Sequence, residues 1–126
     1  MGIKSPSQMG FGHNDASAQL HPELGDVKSN DIQIRKIRPG AFTNTDLHQQ
    51  LQKRKIEYLF ISGVSTSNAV LTAVRNAMDL DYGITVVTDA CADPDAELHK
   101  VLINSFERAS DLLTTEETIQ KFSTLE

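Results

Sequence analysis

Residues that could do chemistry fall in three short segments of the chain, at positions 36–42, 63–69 and 88–94. The middle segment runs from Gly63 to Ala69 and joins an apolar stretch to a helical pattern. A strand-to-helix turn of this kind points backbone N–H groups at a helix start, where they can bind an anion or a developing oxyanion. The alternative is a plain turn whose serine and threonine side chains only cap the helix.

The other two segments carry a lysine, two aspartates and the single cysteine. Lys36 ends an alternating run, where it could relay protons or simply be a solvated strand end. Asp89 and Asp93 flank Cys91; they could bind a metal, orient a ligand or cap the next helix. Two anionic neighbours would raise the pKa of Cys91, which favours a structural role. The histidines lie at no ligand spacing, so we predict neither a metal site nor a cofactor.

The surrounding sequence predicts the elements that position these segments. Apolar residues alternate or run continuously at four places, as in strands, and recur at helical spacing between them. Strands that alternate with helices predict an α/β fold of three layers, with a parallel sheet between helices, and four strand–helix units. The predicted strands are 32–36, 58–61, 84–87 and 112–113. The first predicted helix follows possible caps at 43–45 and ends near residue 55, and the second spans 67 to about 79. The third begins at Pro94-Asp95, and the fourth begins at a capping box from Thr114 to Glu117.

Composition excludes several classes of function. The chain has 126 residues, 12 Lys and Arg against 17 Asp and Glu, and a formal net charge of −5. An acidic chain without a basic stripe is a poor binder of nucleic acid or of an anionic membrane. One cysteine excludes a disulfide framework, and no apolar run is long enough to span a membrane. We therefore expect a cytoplasmic protein with a loop or flexible segment at 1–30 and one domain at 31–126.

Taken together, these segments resemble the isochorismatase-like cysteine hydrolase family, which includes isochorismatases, nicotinamidases and N-carbamoyl-type amidohydrolases. The resemblance covers residues 21 to about 120 and implies a Rossmann-like, isochorismatase-type architecture. It is carried by His21-Pro22-Glu23-Leu24, Ile34-Arg35-Lys36 with Arg38 and Ala41-Phe42, Thr45-Asp46-Leu47, Ile61 through Ser67, Asp89-Ala90-Cys91-Ala92, and Leu112 through Thr115.

The resemblance also implies a catalytic set, which this chain matches only in part. Lys36 falls on the family's lysine, and the family's non-proline cis peptide falls on Val64–Ser65. The nucleophilic cysteine falls on Ala69, whose methyl group cannot attack a carbonyl. The family's aspartate belongs to an opening strand that we do not find in residues 1–30, so we expect a partial domain without the first strands. The implied oxyanion or anion site comprises Val64, Ser65, Thr66, Ser67 and Ala69.

Three functions are compatible with this pattern. The first is a degenerate hydrolase domain, because the nucleophile and the acid are not found. The second is an active small-molecule hydrolase that another subunit or a longer chain completes, because the lysine and the turn persist. The third is a non-enzymatic module that binds a small carboxylate. The expected ligand is a small carboxylate or amide, and a homo-oligomer is possible because open strand edges invite pairing.

Overall fold

The computed structural model describes residues 16–125 and divides the chain into two compact units, Met1–Gln33 and Ile34–Glu126. In the first unit, the described part contains two single-turn 3-10 helices, Ala16–Ala18 and Pro22–Leu24. The Gly25 amide donates to the carbonyl of Pro22, and Gly25 has a φ of 74°, which favours glycine. Most of the predicted 1–30 loop thus lies either in short turns or, for residues 1–15, outside the described residues.

The second unit is built on a parallel sheet of three strands in the order β1-β2-β3. The strands are β1 (Tyr58–Val64), β2 (Gly83–Ala92) and β3 (Asp111–Leu113). The β1–β2 register is regular up to Ile61, which pairs with Val86, and then shifts. The predicted α/β class with a parallel sheet is confirmed.

Each strand leads into a helix, as the sequence pattern requires. The helices are α1 (Leu47–Lys53), α2 (Leu71–Asp79), α3 (Ala96–Phe106) and α4 (Thr115–Ser123). The predicted capping box is present: the side chain of Thr114 accepts from the Glu117 amide, and the Glu117 carboxylate accepts from the Thr114 amide. Asp95 caps α3 by accepting from the amide of Leu98.

The predicted strand at 32–36 is wrong. Ile32 and Ile34 are half-buried and alternate with the exposed Gln33 and Arg35, but the segment belongs to no strand. Alternation specifies which side chains share a face, whereas a strand also needs a neighbouring backbone to accept and donate its hydrogen bonds. The described chain therefore contains three strand–helix units, not four.

The core lies between β2 and α2. Val86 and Ala77 are fully buried, and Val70 and Val74 are 2% exposed. Within residues 16–125, every buried side-chain nitrogen or oxygen has a hydrogen-bond partner. In the same part of the chain, no helix is long and apolar enough to cross a membrane.

Candidate functional site

The turn after β1 is the centre of the candidate site. The Val64–Ser65 peptide bond is cis, as the resemblance implied. One π-helical turn, Thr66–Val70, follows and leads into α2. The amides of Asn68 and Val70 both donate to the carbonyl of Ser65, at 3.2 and 3.1 Å. The helix predicted from Ser67 thus begins as a wider turn, a feature that is often found at functional sites.

A carboxylate of the chain itself holds this turn. Asp93 lies after β2, and its Oδ2 accepts from the backbone amide of Ser67 at 2.8 Å. Its Oδ1 accepts from the amide of Asp95 at 3.0 Å. Hydrogen bonds from the Ser67 side chain and from these two amides lower the pKa of Asp93, and the nearby His99 adds to this effect. The Ser67 amide is therefore engaged by Asp93, and an external anion would have to displace this carboxylate to bind there.

Thr66 fixes the same turn to α3. Its side chain is fully buried, and its Oγ1 shares a hydrogen bond of 2.8 Å with Nδ1 of the half-buried His99. A hydroxyl that is buried and bonded in this way cannot reach a substrate, so Thr66 is excluded as a substitute nucleophile. Val64, in contrast, is 72% exposed and leaves the mouth of the turn open to solvent.

Asp89 and Cys91, near the end of β2, are engaged in bonds within the fold. Asp89 Oδ1 accepts from the amide and from the hydroxyl of Thr115, which opens α4. These bonds lower the pKa of Asp89. Cys91 is 8% exposed, and its thiol donates to the carbonyl of Val87. Burial raises the pKa of the Cys91 thiol and the charge of Asp89 adds to the shift, so Cys91 is poorly suited to nucleophilic attack.

Lys36 does not join the turn. It is exposed, and its Nζ donates to the carbonyl of Pro39 at 2.6 Å, within its own loop. The same loop approaches α2 at the buried Gly40, where an added Cβ would lie 2.7 Å from Thr72 Cγ2. The structure thus brings segments 63–69 and 88–94 together but leaves the lysine amine outside their hydrogen-bond network.

Sequence reasoning missed His99 as part of the site. His99 follows Thr66 by 33 positions, and no local pattern connects the two residues. It also left open whether Asp93 caps a helix or orients a ligand, whereas the structure assigns the cap to Asp95 and the turn to Asp93. In residues 16–125 no group of three His, Cys, Asp or Glu side chains could hold a metal ion.

Comparison with known proteins identifies the family to which this chain is similar. The family model described as "Isochorismatase domain" matches residues 4–117 of this chain. An uncharacterized isochorismatase family protein of Bacillus subtilis is 34% identical over 118 residues, which are 92% of this chain and 62% of that protein. A protein of Arabidopsis thaliana described as a probable inactive nicotinamidase is 41% identical over 83 residues, 65% of this chain and 42% of that protein.

Solved structures agree on the fold. A cysteine hydrolase from Pseudomonas syringae superposes with a TM-score of 0.86 at 20% identity, covering 96% of this chain and 62% of that one. The chain spans about half the length of the curated relatives that it matches. The match of the family description over most of the chain, together with the B. subtilis relative, shows that the chain belongs to the isochorismatase family.

Proposed function

We propose that this chain is a degenerate isochorismatase-family domain, a pseudoenzyme that does not perform cysteine-dependent amide hydrolysis. The observation that carries the proposal is Ala69, which stands within the turn after the cis peptide, where the family resemblance requires the nucleophile. A methyl group has no electron pair with which to form a thioester. The description of one relative as a probable inactive nicotinamidase supports the same conclusion.

No other side chain of the turn replaces the nucleophile. The thiol of Cys91 is buried, bonded to the carbonyl of Val87 and shifted away from the reactive thiolate form. The hydroxyl of Thr66 is buried against His99. Ser67 is half-buried and hydrogen-bonded to Asp93, a carboxylate with a lowered pKa and therefore a weak base. A general base needs a pKa near the working pH, so this pair does not form an activated serine.

The remaining role of the turn is binding, and its ligand is a small carboxylate or amide. The Ser67 amide holds the carboxylate of Asp93, and a ligand carboxylate at this amide would have to displace it. Of the rest of the proposed set, Val64, Ser65 and Ala69 would contribute backbone and apolar contacts to the ligand, whereas the buried Thr66 would only hold the turn in place. Lys36 would add a cation if its loop gave up the bond to Pro39. We further propose that the chain binds this ligand in the cytoplasm.

Assays with three substrate types test the proposal. The purified chain is incubated with nicotinamide, an N-carbamoyl amide and isochorismate, and product is followed by chromatography. We expect no turnover above the background of a Lys36→Ala variant. Turnover that disappears in Lys36→Ala would contradict the proposal and favour an active hydrolase. Binding is measured separately by calorimetry with nicotinamide and nicotinate, and the absence of heat at millimolar ligand would contradict the binding role.

Self-association is a further part of the proposal. β1 pairs with β2 on one side, and no backbone hydrogen bond from residues 34–125 reaches its other edge. The strand reads Tyr-Leu-Phe-Ile-Ser-Gly-Val, without the charge or proline that protects natural edges. We expect a homodimer through this edge in light scattering, and a monomer for Ser62→Lys. Equal masses for the two proteins would refute it.

A further inference from the structure

An open groove lies between α2 and the second half of α3. Its volume is about 640 Å³, within the range of sites that bind small molecules. Val74 and Phe106, 2% and 3% exposed, form its floor. Met78 and Val101 also line it and are 45% and 63% exposed. The groove is thus an apolar surface that the described chain leaves open to solvent.

Each side of the groove carries an arginine, one on α2 and one just beyond the end of α3. On α2, Arg75 follows Leu71 by four positions and precedes Met78 by three, so that the three side chains share one face. On the other side, Val101 lies on α3, and Arg108 lies in the turn just after α3 ends at Phe106. The two arginines therefore line one apolar surface from opposite walls.

Neither guanidinium is paired with a carboxylate in the part of the chain that the structure describes. Within residues 16–125, Arg75 and Arg108 form no ion pair with a carboxylate, although Glu107 also lines the groove. The chain as a whole has a formal net charge of −5, whereas the lining of the groove, with two arginines and one glutamate, has a formal charge of +1. An apolar surface with a few convergent polar groups is the usual composition of a small-molecule site.

We propose that this groove binds a small organic acid with an apolar body. Its anionic head would lie between Arg75 and Arg108, where a planar guanidinium can donate two parallel hydrogen bonds. Its body would cover Met78 and Val101. A second copy of the chain is a poorer occupant, because a twofold contact through the groove would bring arginines of both copies together. The site goes beyond the turn after β1 and does not depend on any activity there.

Two fluorescent probes that share an aromatic body test the proposal. One is 8-anilinonaphthalene-1-sulfonate, and the other is N-phenyl-1-naphthylamine, which lacks the sulfonate. We expect the sulfonate to bind the unmodified chain more tightly than the neutral probe. The double variant Arg75→Gln/Arg108→Gln should bind the sulfonate about tenfold more weakly, because two exposed charge contacts are lost, and should bind the neutral probe unchanged. Lys100→Gln is the matched control: it removes one charge from α3 outside the groove and should change neither affinity.

A third variant locates the apolar contact. Val101→Asp alters an exposed side chain and should weaken both probes while circular dichroism shows an unchanged melt. The proposal is overturned if the sulfonate binds the double variant as tightly as the unmodified chain, or if the neutral probe binds equally well. It is also overturned if the sulfonate does not bind at about 1 mM. Sedimentation that shows a dimer which Val101→Asp dissociates would assign the groove to a second copy instead.

Discussion

Replacing Thr66 by valine tests whether the turn after β1 depends on its bond to α3. Thr66 is fully buried, and its Oγ1 lies 2.8 Å from Nδ1 of His99. Valine has nearly the same shape as threonine but cannot form this bond. The substitution therefore removes one hydrogen bond between the turn and α3 while leaving the packing volume almost unchanged.

The magnitude follows from burial at the two ends of the bond. A neutral hydrogen bond contributes about 1 kcal/mol net, and a buried partner left unsatisfied adds about 1–3 kcal/mol. His99 is only half-buried, so water can reach part of its ring and the penalty stays at the low end. We expect Thr66→Val to lower the free energy of unfolding by about 1–2 kcal/mol. For a chain of 126 residues, the melting temperature should fall by roughly 4–12 °C.

A double-mutant cycle separates the bond from the packing. Urea unfolding is followed by circular dichroism for Thr66→Val, for His99→Leu and for the two combined. The cost of Thr66→Val should shrink by about 1 kcal/mol in the His99→Leu background, because no partner is left to lose. Thr66→Ser keeps the hydroxyl and should lose the same free energy in both backgrounds. If Thr66→Val costs the same with and without His99, the bond does not hold the turn and the reasoning fails.

Three other predictions concern neighbouring residues. Hydrogen bonds lower the pKa of Asp89 and Asp93 in the folded chain. The two carboxylates therefore stabilise the folded state fully above the ordinary carboxyl pKa of about 3.9, and this stabilisation is lost as the pH falls through their lower pKa values in the folded chain. Melting temperatures measured from about pH 6 to about pH 2 should fall less steeply at the acid end for Asp93→Asn and for Asp89→Asn. An unchanged dependence of melting temperature on pH would contradict the lowered pKa values. Cys91 should react with a disulfide reagent at about pH 8 roughly tenfold more slowly in the native chain than in guanidinium, because the thiol is buried and burial raises its pKa. Cys91→Ser serves as the blank. Equal rates in the two conditions would show that the thiol is accessible in the native chain. Gly83→Ala should destabilise the chain by about 1–3 kcal/mol in urea, because the new Cβ would overlap the ring of Tyr58. The cost should decrease in a Tyr58→Leu background, and a harmless Gly83→Ala would refute the close approach.

Local signals in the sequence were sufficient to predict local structure. The capping box at Thr114 and Glu117 needs only residues three positions apart, and it forms as predicted. The Pro94-Asp95 helix start is equally local, and Asp95 caps α3. The buried strand predicted at 84–87 lies inside β2. In the two helix starts, the residues that specify the element are also the residues that make its capping bonds.

Non-local structure could not be predicted in the same way. The alternation at 32–36 satisfies the period of a strand, yet no described backbone pairs with it. Ser67 and Asp93 are 26 positions apart, and Thr66 and His99 are 33 apart. A carboxylate or an imidazole in a sequence does not indicate which distant amide or hydroxyl it will meet. The resemblance supplied the position of the cis peptide, but it supplied neither of these contacts.

The contacts that hold the turn are independent of the residue at position 69. Thr66 is fixed by α3, and Ser67 is fixed by the carboxylate after β2. Neither bond uses the side chain of Ala69, so a change of side chain at this position would alter reactivity without removing either hydrogen bond from the turn. Persistence of the turn is therefore no evidence of catalysis, because selection for a stable fold or for ligand binding would preserve it equally well. For the same reason, Ala69→Cys should keep the turn intact, and any reactivity of the new thiol would report on the turn's electrostatics rather than on a rebuilt fold.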